Sequence, residues 1–433
     1  MEKRAEHFIN FAAKYLYKVL TRHVGHDMAF RETSEEYRKA YKYLSPKLLY
    51  RATFRMSSDY YLLRYMEKEV FGRSAGTKRL AKMWIIIRKD ELAKLAPEMN
   101  VEQLVRKLEK SMPRPVPHLE EVLEKLHDPV QRLAVKYSFP VWFVHDLVER
   151  LGLSETELLL RELNEEKWWI RVNTLKTDVE RVVQSLEEKG VVVQRDPDLP
   201  YMLKVVDYSM PLHRLDEMWR GEIVFQDKAS AMVVEALRPE PNDTILDLAA
   251  APGVKDSLIM QLTENRARII AVDVSWERIK RMKRLLRLYG VDLARVEIVN
   301  ADSRMLAIRG SSIDKVLLDA PCTSTGAMVK DPAVKIHLED QTWVARFPQL
   351  QRHMLETALA LRREIVFAVC SILALEGEEH IASILGRGRH TPVKALSNTS
   401  PGYRPYSFRD RVHRFFPHVH DTQGFFIAKL APY

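Results

Sequence analysis

The chain has 433 residues, of which 46% are hydrophobic and 29% charged, with 68 Lys+Arg against 59 Asp+Glu and a net charge of +9. This balance excludes fibrous, collagenous and intrinsically disordered chains, and the length predicts two or three domains. Two cysteines cannot build a disulfide framework or a Cys-rich zinc site, and the longest stretch without a charged residue, Ile365–Leu375, is far short of the roughly 18–20 residues a bilayer needs.

The first segment reads as helix. Phe8, Phe11/Ala12, Tyr15/Leu16 and Val19/Leu20 recur at the spacing of an amphipathic stripe; the charges here and the breaks at Asn10 and Lys14 argue against a secretory signal. Helical patterns continue through Tyr41–Arg55, Tyr60–Phe71 and Leu80–Leu95. Pro113, Pro115 and Pro117 then mark a linker or tight turn, and helices resume at Val122–Leu126 and Trp142–Leu151. The texture changes near residue 167, where Trp168–Asn173 is strand-like, Asp178–Lys189 helical and Val191–Val193 a strand, a pattern similar to half of a small split βαβ sheet. Trp168-Trp169 reads as a core or inter-domain anchor. Gly221–Phe225 begins another strand and Asp227–Leu237 a helix. From Thr244 the chain alternates as a doubly wound α/β domain does, with strands at Thr244–Leu248, Ile269–Val274, Val296–Asn300, Lys315–Asp319, Ile365–Val369 and Gly424–Leu430. The expected domains are 1–130 (helical), 131–237 (small α+β, RRM-like) and 238–433 (Rossmann-like).

The chemistry gathers at strand ends. The first α/β strand ends in Asp247-Leu248-Ala249-Ala250-Ala251-Pro252-Gly253-Val254-Lys255, whose small residues let a ligand approach the backbone at the carboxyl edge of the sheet. With one glycine, it is neither a dinucleotide fingerprint nor a P-loop. Asp273, roughly 20 residues beyond Gly253, is positioned to accept hydrogen bonds from ribose hydroxyls, and Asp302 to meet an adenine edge. A nucleoside cofactor without a phosphate chain fits, and S-adenosylmethionine is the obvious one. The only two thiols, Cys322 and Cys370, also fall at strand ends, in Asp319-Ala320-Pro321-Cys322-Thr323-Ser324-Thr325-Gly326 and Ala368-Val369-Cys370-Ser371-Ile372. A thiol beside a methyl donor suggests covalent catalysis on a pyrimidine, because a thiolate added at carbon 6 of cytosine makes carbon 5 nucleophilic. Asp319 is suited to hydrogen-bond the base near N3/N4.

These segments resemble those of the RsmB/Sun-type RNA cytosine-5 methyltransferases. Supporting matches are Arg171–Lys176, Phe225–Ser230 and the tail His413–His418 with Gly424–Ala428, so the resemblance covers roughly residues 135–433. It implies that Cys370 is the nucleophile and Cys322 assists release. It also implies that S-adenosylmethionine lies against Ala249, Ala250, Ala251, Pro252, Gly253, Val254, Lys255, Asp273, Asp302 and Asp319, and Arg278 joins them as a cofactor-side candidate. The N-terminal helices are similar, in pattern and position, to a NusB-like RNA-binding domain. Two departures stand out: Val254 and Asp256 occupy positions where the family has Gly and Thr. The charge of Asp256 favours a helix N-terminus but would repel the cofactor's carboxylate. The expected function is formation of 5-methylcytosine in ribosomal RNA, or else transfer RNA. The alternative is a catalytically weak or inactive RNA-binding ribosome-assembly factor.

Six basic residues on the helix Arg278–Arg287 read as a solvated outer face, with Ile279, Met282, Leu286 and Tyr289 turned to the sheet. Arg387, Arg389, Arg404, Arg409, Arg411 and Arg414, interleaved with Tyr403, Tyr406, Phe408 and Phe415, suit RNA phosphate contact and base stacking. His413, His418 and His420 lack nearby cysteine or clustered carboxylate partners, so no metal is expected. A cytoplasmic monomer with an RNA partner and no membrane association completes the expectation.

Overall fold

In the computed structural model the described residues are 2–72, 76–306, 312–386, 388 and 390–433. They form two compact units, one of residues 1–165 with 328–344, the other of 166–327 with 345–433. The first unit thus extends beyond residue 130, where a boundary was expected. The helices Pro129–Tyr137, Val141–Leu151 and Leu153–Glu162 pack on one another, the first of them also on Tyr60–Phe71, and Val135 belongs to the same core as the N-terminal stripe.

That first unit is all helix and 3-10 turn among its described residues. Phe8, Phe11, Tyr15, Leu16 and Val19 are buried as their spacing predicts. The expected helix Leu80–Leu95 is instead two, Thr77–Ile87 and Lys89–Leu95, broken at Arg88, whose guanidinium turns back to Asp59 at 2.6 Å. The segment 328–344, inserted from the far end of the sequence, sends Ala333 and Ile336 into this core. Its Lys335 is buried, with Nζ donating to Ser58 O and Tyr137 O at 3.2 Å and to Asn164 Oδ1 at 2.6 Å.

The second unit holds two sheets. The smaller is built from β1 (Trp168–Val172), β2 (Val191–Arg195), β3 (Met202–Tyr208) and β4 (Ile223–Phe225), in the order β2-β3-β1-β4 with every pairing antiparallel. One face packs Ile170, Leu203 and Val205 against Val182 and Leu186 of the helix Val179–Glu188. From the other face Arg171 donates to Ser257 Oγ at 2.6 Å and Gln261 Oε1 at 2.9 Å, on the helix Val254–Leu262. Trp169 anchors as expected: it is buried and donates from Nε1 to Asp421 O at 2.9 Å.

The larger sheet comprises β5 (Thr244–Asp247), β6 (Arg268–Asp273), β7 (Val296–Asn300), β8 (Lys315–Asp319), β9 (Glu364–Val369), β10 (His390–Val393), β11 (His413–Phe415) and β12 (Phe425–Pro432). Its order is β10-β12-β9-β8-β5-β6-β7, with β11 on β12. Strands β5 to β9 run parallel, while β12 is antiparallel between β9 and β10. Near-continuous apolar strands such as Ile365–Val369, all buried, are what a parallel sheet covered on both faces requires. Pro392 is tolerated in β10 because that strand lies at the sheet edge.

The arginine-aromatic tail differs from its expected role. Arg387 and Arg389 lie outside the described residues. Arg414 is fully buried, bonded to Glu378 through Nε at 2.9 Å and Nη2 at 2.5 Å, and stacked on Tyr403 at 4.2 Å. Tyr403, Phe408 and Phe415 are buried too, so these aromatics are core and offer no stacking platform; Arg404 and Arg411 remain exposed. Breaking a buried ion pair from one side strands the other charge. Arg414→Met should therefore lower unfolding stability by about 3–5 kcal/mol in a denaturant titration, whereas a surface phosphate contact would leave stability unchanged. The helix Trp276–Leu288 matches its reading: its six basic residues are exposed, and Ile279, Met282 and Leu286 are buried.

Candidate active site

All candidate residues lie at the carboxyl edge of the parallel strands, where the chain leaves the sheet and the backbone is free to meet a ligand. After β5 the turn 248–253 leads into the helix Val254–Leu262. Gly253 is obligatory there: its φ is +88°, and a Cβ would sit 2.6 Å from Met282 Cγ. Gly253→Ala should therefore weaken cofactor binding and destabilise the fold by about 1–3 kcal/mol together, measurable by calorimetry and thermal melting.

Asp273, at the end of β6, is buried and holds this turn, accepting from Ala251 N at 3.2 Å and Ser275 N at 2.9 Å. Arg278 Nη1 lies 3.3 Å from Asp273, and its Nη2 bonds the carbonyl of Ala251. Arg278 thus lies at the turn, with its side chain half exposed. Beside it Val274 is 68% exposed, an apolar surface flanking the acid. Asp302 caps the 3-10 turn Ser303–Met305 and is engaged by Arg304 Nη2 at 2.5 Å, which holds its carboxyl below the usual range.

Asp256 corrects the sequence expectation most directly. It is fully buried rather than facing the cofactor side. Burial and the neighbouring Asp247 push its carboxyl well above the usual range, and burial pushes Asp247 itself up to about 6. Asp247 Oδ1 accepts Ala249 N at 2.9 Å. No other side-chain or backbone donor reaches Asp256 among the described residues, so the pair is satisfied when one proton is shared between the two carboxyls. Burial therefore disfavours a negative charge on Asp256.

The two thiols meet. Cys322 Sγ and Cys370 Sγ are 3.3 Å apart, and both residues are partly exposed. A hydrogen bond from Cys322 lowers the Cys370 thiol, against the effect of burial, with Ser324 and Lys255 adding to the lowering. The same bond, with burial and the Cys370 charge, raises Cys322 well above an ordinary thiol. Either sulfur can donate in this contact, and the surroundings favour ionisation of Cys370 over Cys322. Lys255 pairs with Asp319 at the end of β8 and contributes positive charge near Cys370.

Sequence reasoning missed the groups beneath the thiols. Glu376 is buried; it accepts Thr323 N at 2.9 Å, Thr323 Oγ1 and Ser371 Oγ at 2.5 Å each, and Gln351 Nε2 at 2.9 Å. Gln351 in turn donates to Pro321 O at 2.8 Å, and its Oε1 lies 2.9 Å from His380 Nε2. The only sequence signal is a hydroxyl residue directly after each cysteine. Gly326 must be glycine, since a Cβ would come within 1.9 Å of Gly424 O; its N–H bonds Cys370 O at 3.0 Å and closes the two loops together.

A parallel sheet with one antiparallel strand inserted beside its fifth, acids at the ends of β5 and β6 and a glycine turn between them, is the architecture of the Rossmann-like methyltransferases. The family model described as 16S rRNA methyltransferase RsmB/F matches residues 234–431, and the RsmF/B-like ferredoxin-like domain matches 139–209, together more than half of the chain. The chain belongs to the RsmB/F methyltransferase family. It is 34% identical over 319 residues to the human 28S rRNA (cytosine(4447)-C(5))-methyltransferase, covering 69% of this chain and 38% of that protein. With the tRNA (cytosine(72)-C(5))-methyltransferase of Pyrococcus horikoshii it shares 35% identity, over 52% of this chain and 56% of the relative. The chain thus spans well under two thirds of the length of both. A crystal structure of the protein PH0851 aligns over 99% of this chain and 98% of its own, at 27% identity and a TM-score of 0.74. That of NSun6 from Pyrococcus horikoshii with SFG covers 66% and 96%, at 25% identity and a TM-score of 0.58.

Proposed function

We propose that the protein is an S-adenosylmethionine-dependent RNA methyltransferase that forms 5-methylcytosine through a covalent adduct on Cys370. The observation that carries this reading is the pair of thiols 3.3 Å apart beside Asp319 and Lys255. Proteins that methylate an exocyclic amine have no use for such a pair. The relatives' names, rRNA and tRNA cytosine-C5 methyltransferases, support the same chemistry, with rRNA as the favoured substrate and tRNA the other.

The residues fit the cofactor. The turn 249–255, the Asp273 carboxylate, Val274 and Asp302 supply a backbone cradle, acceptors for ribose and base, and an apolar flank. S-adenosylmethionine supplies an electrophilic methyl on a sulfonium. The target cytosine leaves its stack to present carbon 6. Asp319, held by Lys255, bonds the base near N3/N4. The Cys370 thiolate would then form a bond to carbon 6 as the double-bond pair moves to carbon 5, and carbon 5 would take the methyl while the broken S–C pair stays on the donor sulfur as a neutral thioether. A base, water or hydroxide, would take the carbon-5 proton; the C–H pair re-forms the double bond and the C6–S pair leaves on Cys370 as thiolate, with the Cys322 thiol hydrogen-bonded to that departing sulfur. The exposed basic face of the helix Trp276–Leu288 and the helical first unit would meet the RNA backbone.

The assembly-factor alternative drew on Val254 and Asp256; Asp256 is buried, which weakens its half of that ground, and Val254 begins the helix after the turn. The test is incubation of RNA lacking the modification with methyl-labelled S-adenosylmethionine, followed by size fractionation and nucleoside mass analysis. Label in 5-methylcytosine is expected. Its absence, with the fold and RNA binding intact, would overturn the reading.

A further inference from the structure

Two cysteine loops approach from different strands, and one buried carboxylate bridges them. Thr323 directly follows Cys322, and Ser371 directly follows Cys370. Both hydroxyls converge on the same oxygen, Glu376 Oε2, at 2.5 Å. The other oxygen takes the backbone N–H of Thr323 and the amide of Gln351, each at 2.9 Å, and Gln351 also bonds Pro321 O on the near side of Cys322. The Cys322 loop is thus held on both sides of its thiol and the Cys370 loop on one. Thr325 Oγ1 completes the weave, 2.9 Å from Ser371 Oγ and accepting Ile372 N at 3.1 Å. Charge-assisted bonds of this kind are short and directional, and Glu376 touches neither thiol directly.

We propose that Glu376 is a positioning residue that fixes the two thiols at contact distance and, by its charge, keeps the proton on Cys322 so that Cys370 is the nucleophile. Two thiols at 3.3 Å share one hydrogen bond, and geometry alone does not decide which sulfur holds the proton. An asymmetry is required. Glu376 provides one: it takes the backbone N–H of Thr323, its partner Gln351 also bonds Pro321 O, and the Cys370 loop reaches it through the Ser371 hydroxyl; its charge, which these donated bonds favour against burial, opposes a thiolate on Cys322. Around Cys370, Ser324 and Lys255 favour the thiolate while Asp319 opposes it. The asymmetry separates an attacking sulfur from a releasing one before any substrate arrives.

This inference gives the proposed methyltransferase reaction its division of labour, but its test uses neither RNA nor cofactor. The protein is treated with iodoacetamide across pH 5–10, and alkylation of each cysteine is followed by peptide mass analysis in wild type and Glu376→Gln, with melting curves to report the fold. In the wild type Cys370 should react at least tenfold faster than Cys322 near pH 7. In folded Glu376→Gln that ratio should fall toward unity, with the Cys322 profile moved to lower pH. An unchanged ratio in a folded Gln variant would overturn the proposal, since a merely structural role predicts that outcome. Should the Gln variant not fold, Thr323→Val decides: it deletes one donor but keeps the carboxylate. The proposal then requires Cys322 to remain the slow thiol, and equal reactivity of the two would contradict it. Failure of RNA methylation alone would leave this ratio untouched, so the two readings fail separately.

Discussion

Cys370→Ala should lower methyl transfer by roughly 10⁴-fold or more, the scale on which removing a covalent nucleophile acts, and should leave no RNA bound to the denatured protein. Cys322→Ala should behave differently. With the nucleophile intact and the partner thiol gone, addition and methyl transfer proceed while release slows, so a covalent protein–RNA species should accumulate on a denaturing gel. With the surroundings favouring the proton on Cys322, the contact between the thiols lowers Cys370 and raises Cys322. Cys322→Ala also deletes that bond, so alkylation of Cys370 in this variant should shift to higher pH. Identical phenotypes for the two alanine variants would remove the distinction between attack and release.

Asp256→Asn should stabilise the protein at neutral and alkaline pH. The unfolded chain ionises both Asp247 and Asp256 near the ordinary carboxylate value. In the fold burial raises Asp247 to about 6, against the bond from Asp256 that lowers it, and burial together with Asp247 raises Asp256 well above the usual range. Between these limits the native state binds more protons than the unfolded state, so stability is full at low pH and is lost as pH rises through the folded values. A carboxamide at 256 donates to Asp247 without a titrating proton. The variant should gain stability at pH 8, because it removes the raised Asp256 carboxyl from the titration, and little at pH 5, in denaturant titrations at both pH values. A variant less stable than wild type at pH 8 would contradict the shared-proton account.

Much of the fold was legible because its strongest signals are local. The apolar runs Lys315–Asp319 and Ile365–Val369 read directly as parallel strands, and Tyr60–Phe71 as a helix. Strands β3, β10 and β11 were not read. The latter two are short, and β10 carries a proline that only its edge position permits. The helix Gln341–Ala360 was hidden by Pro348 within it. The insertion of 328–344 into the first unit is a long-range packing event that no local pattern encodes. At the site, acids and thiols at strand ends were visible through their positions. Burial was not: sequence placed the charge of Asp256 beside the cofactor and Arg414 on the surface, and the structure places both in the interior. Glu376 was missed for the same reason, since nothing in its neighbours announces a carboxylate turned back beneath two loops.

RNA in which cytidine is replaced by 5-fluorocytidine tests the covalent step on Cys370. Fluorine at carbon 5 cannot leave as a proton, so the adduct persists after methyl transfer. With S-adenosylmethionine present, a denaturation-stable complex should form, and peptide mapping should place the nucleotide on Cys370 with one methyl added to the base. Attachment at Cys322, or efficient methylation of ordinary RNA with no trapped complex on the fluorinated one, would contradict the account.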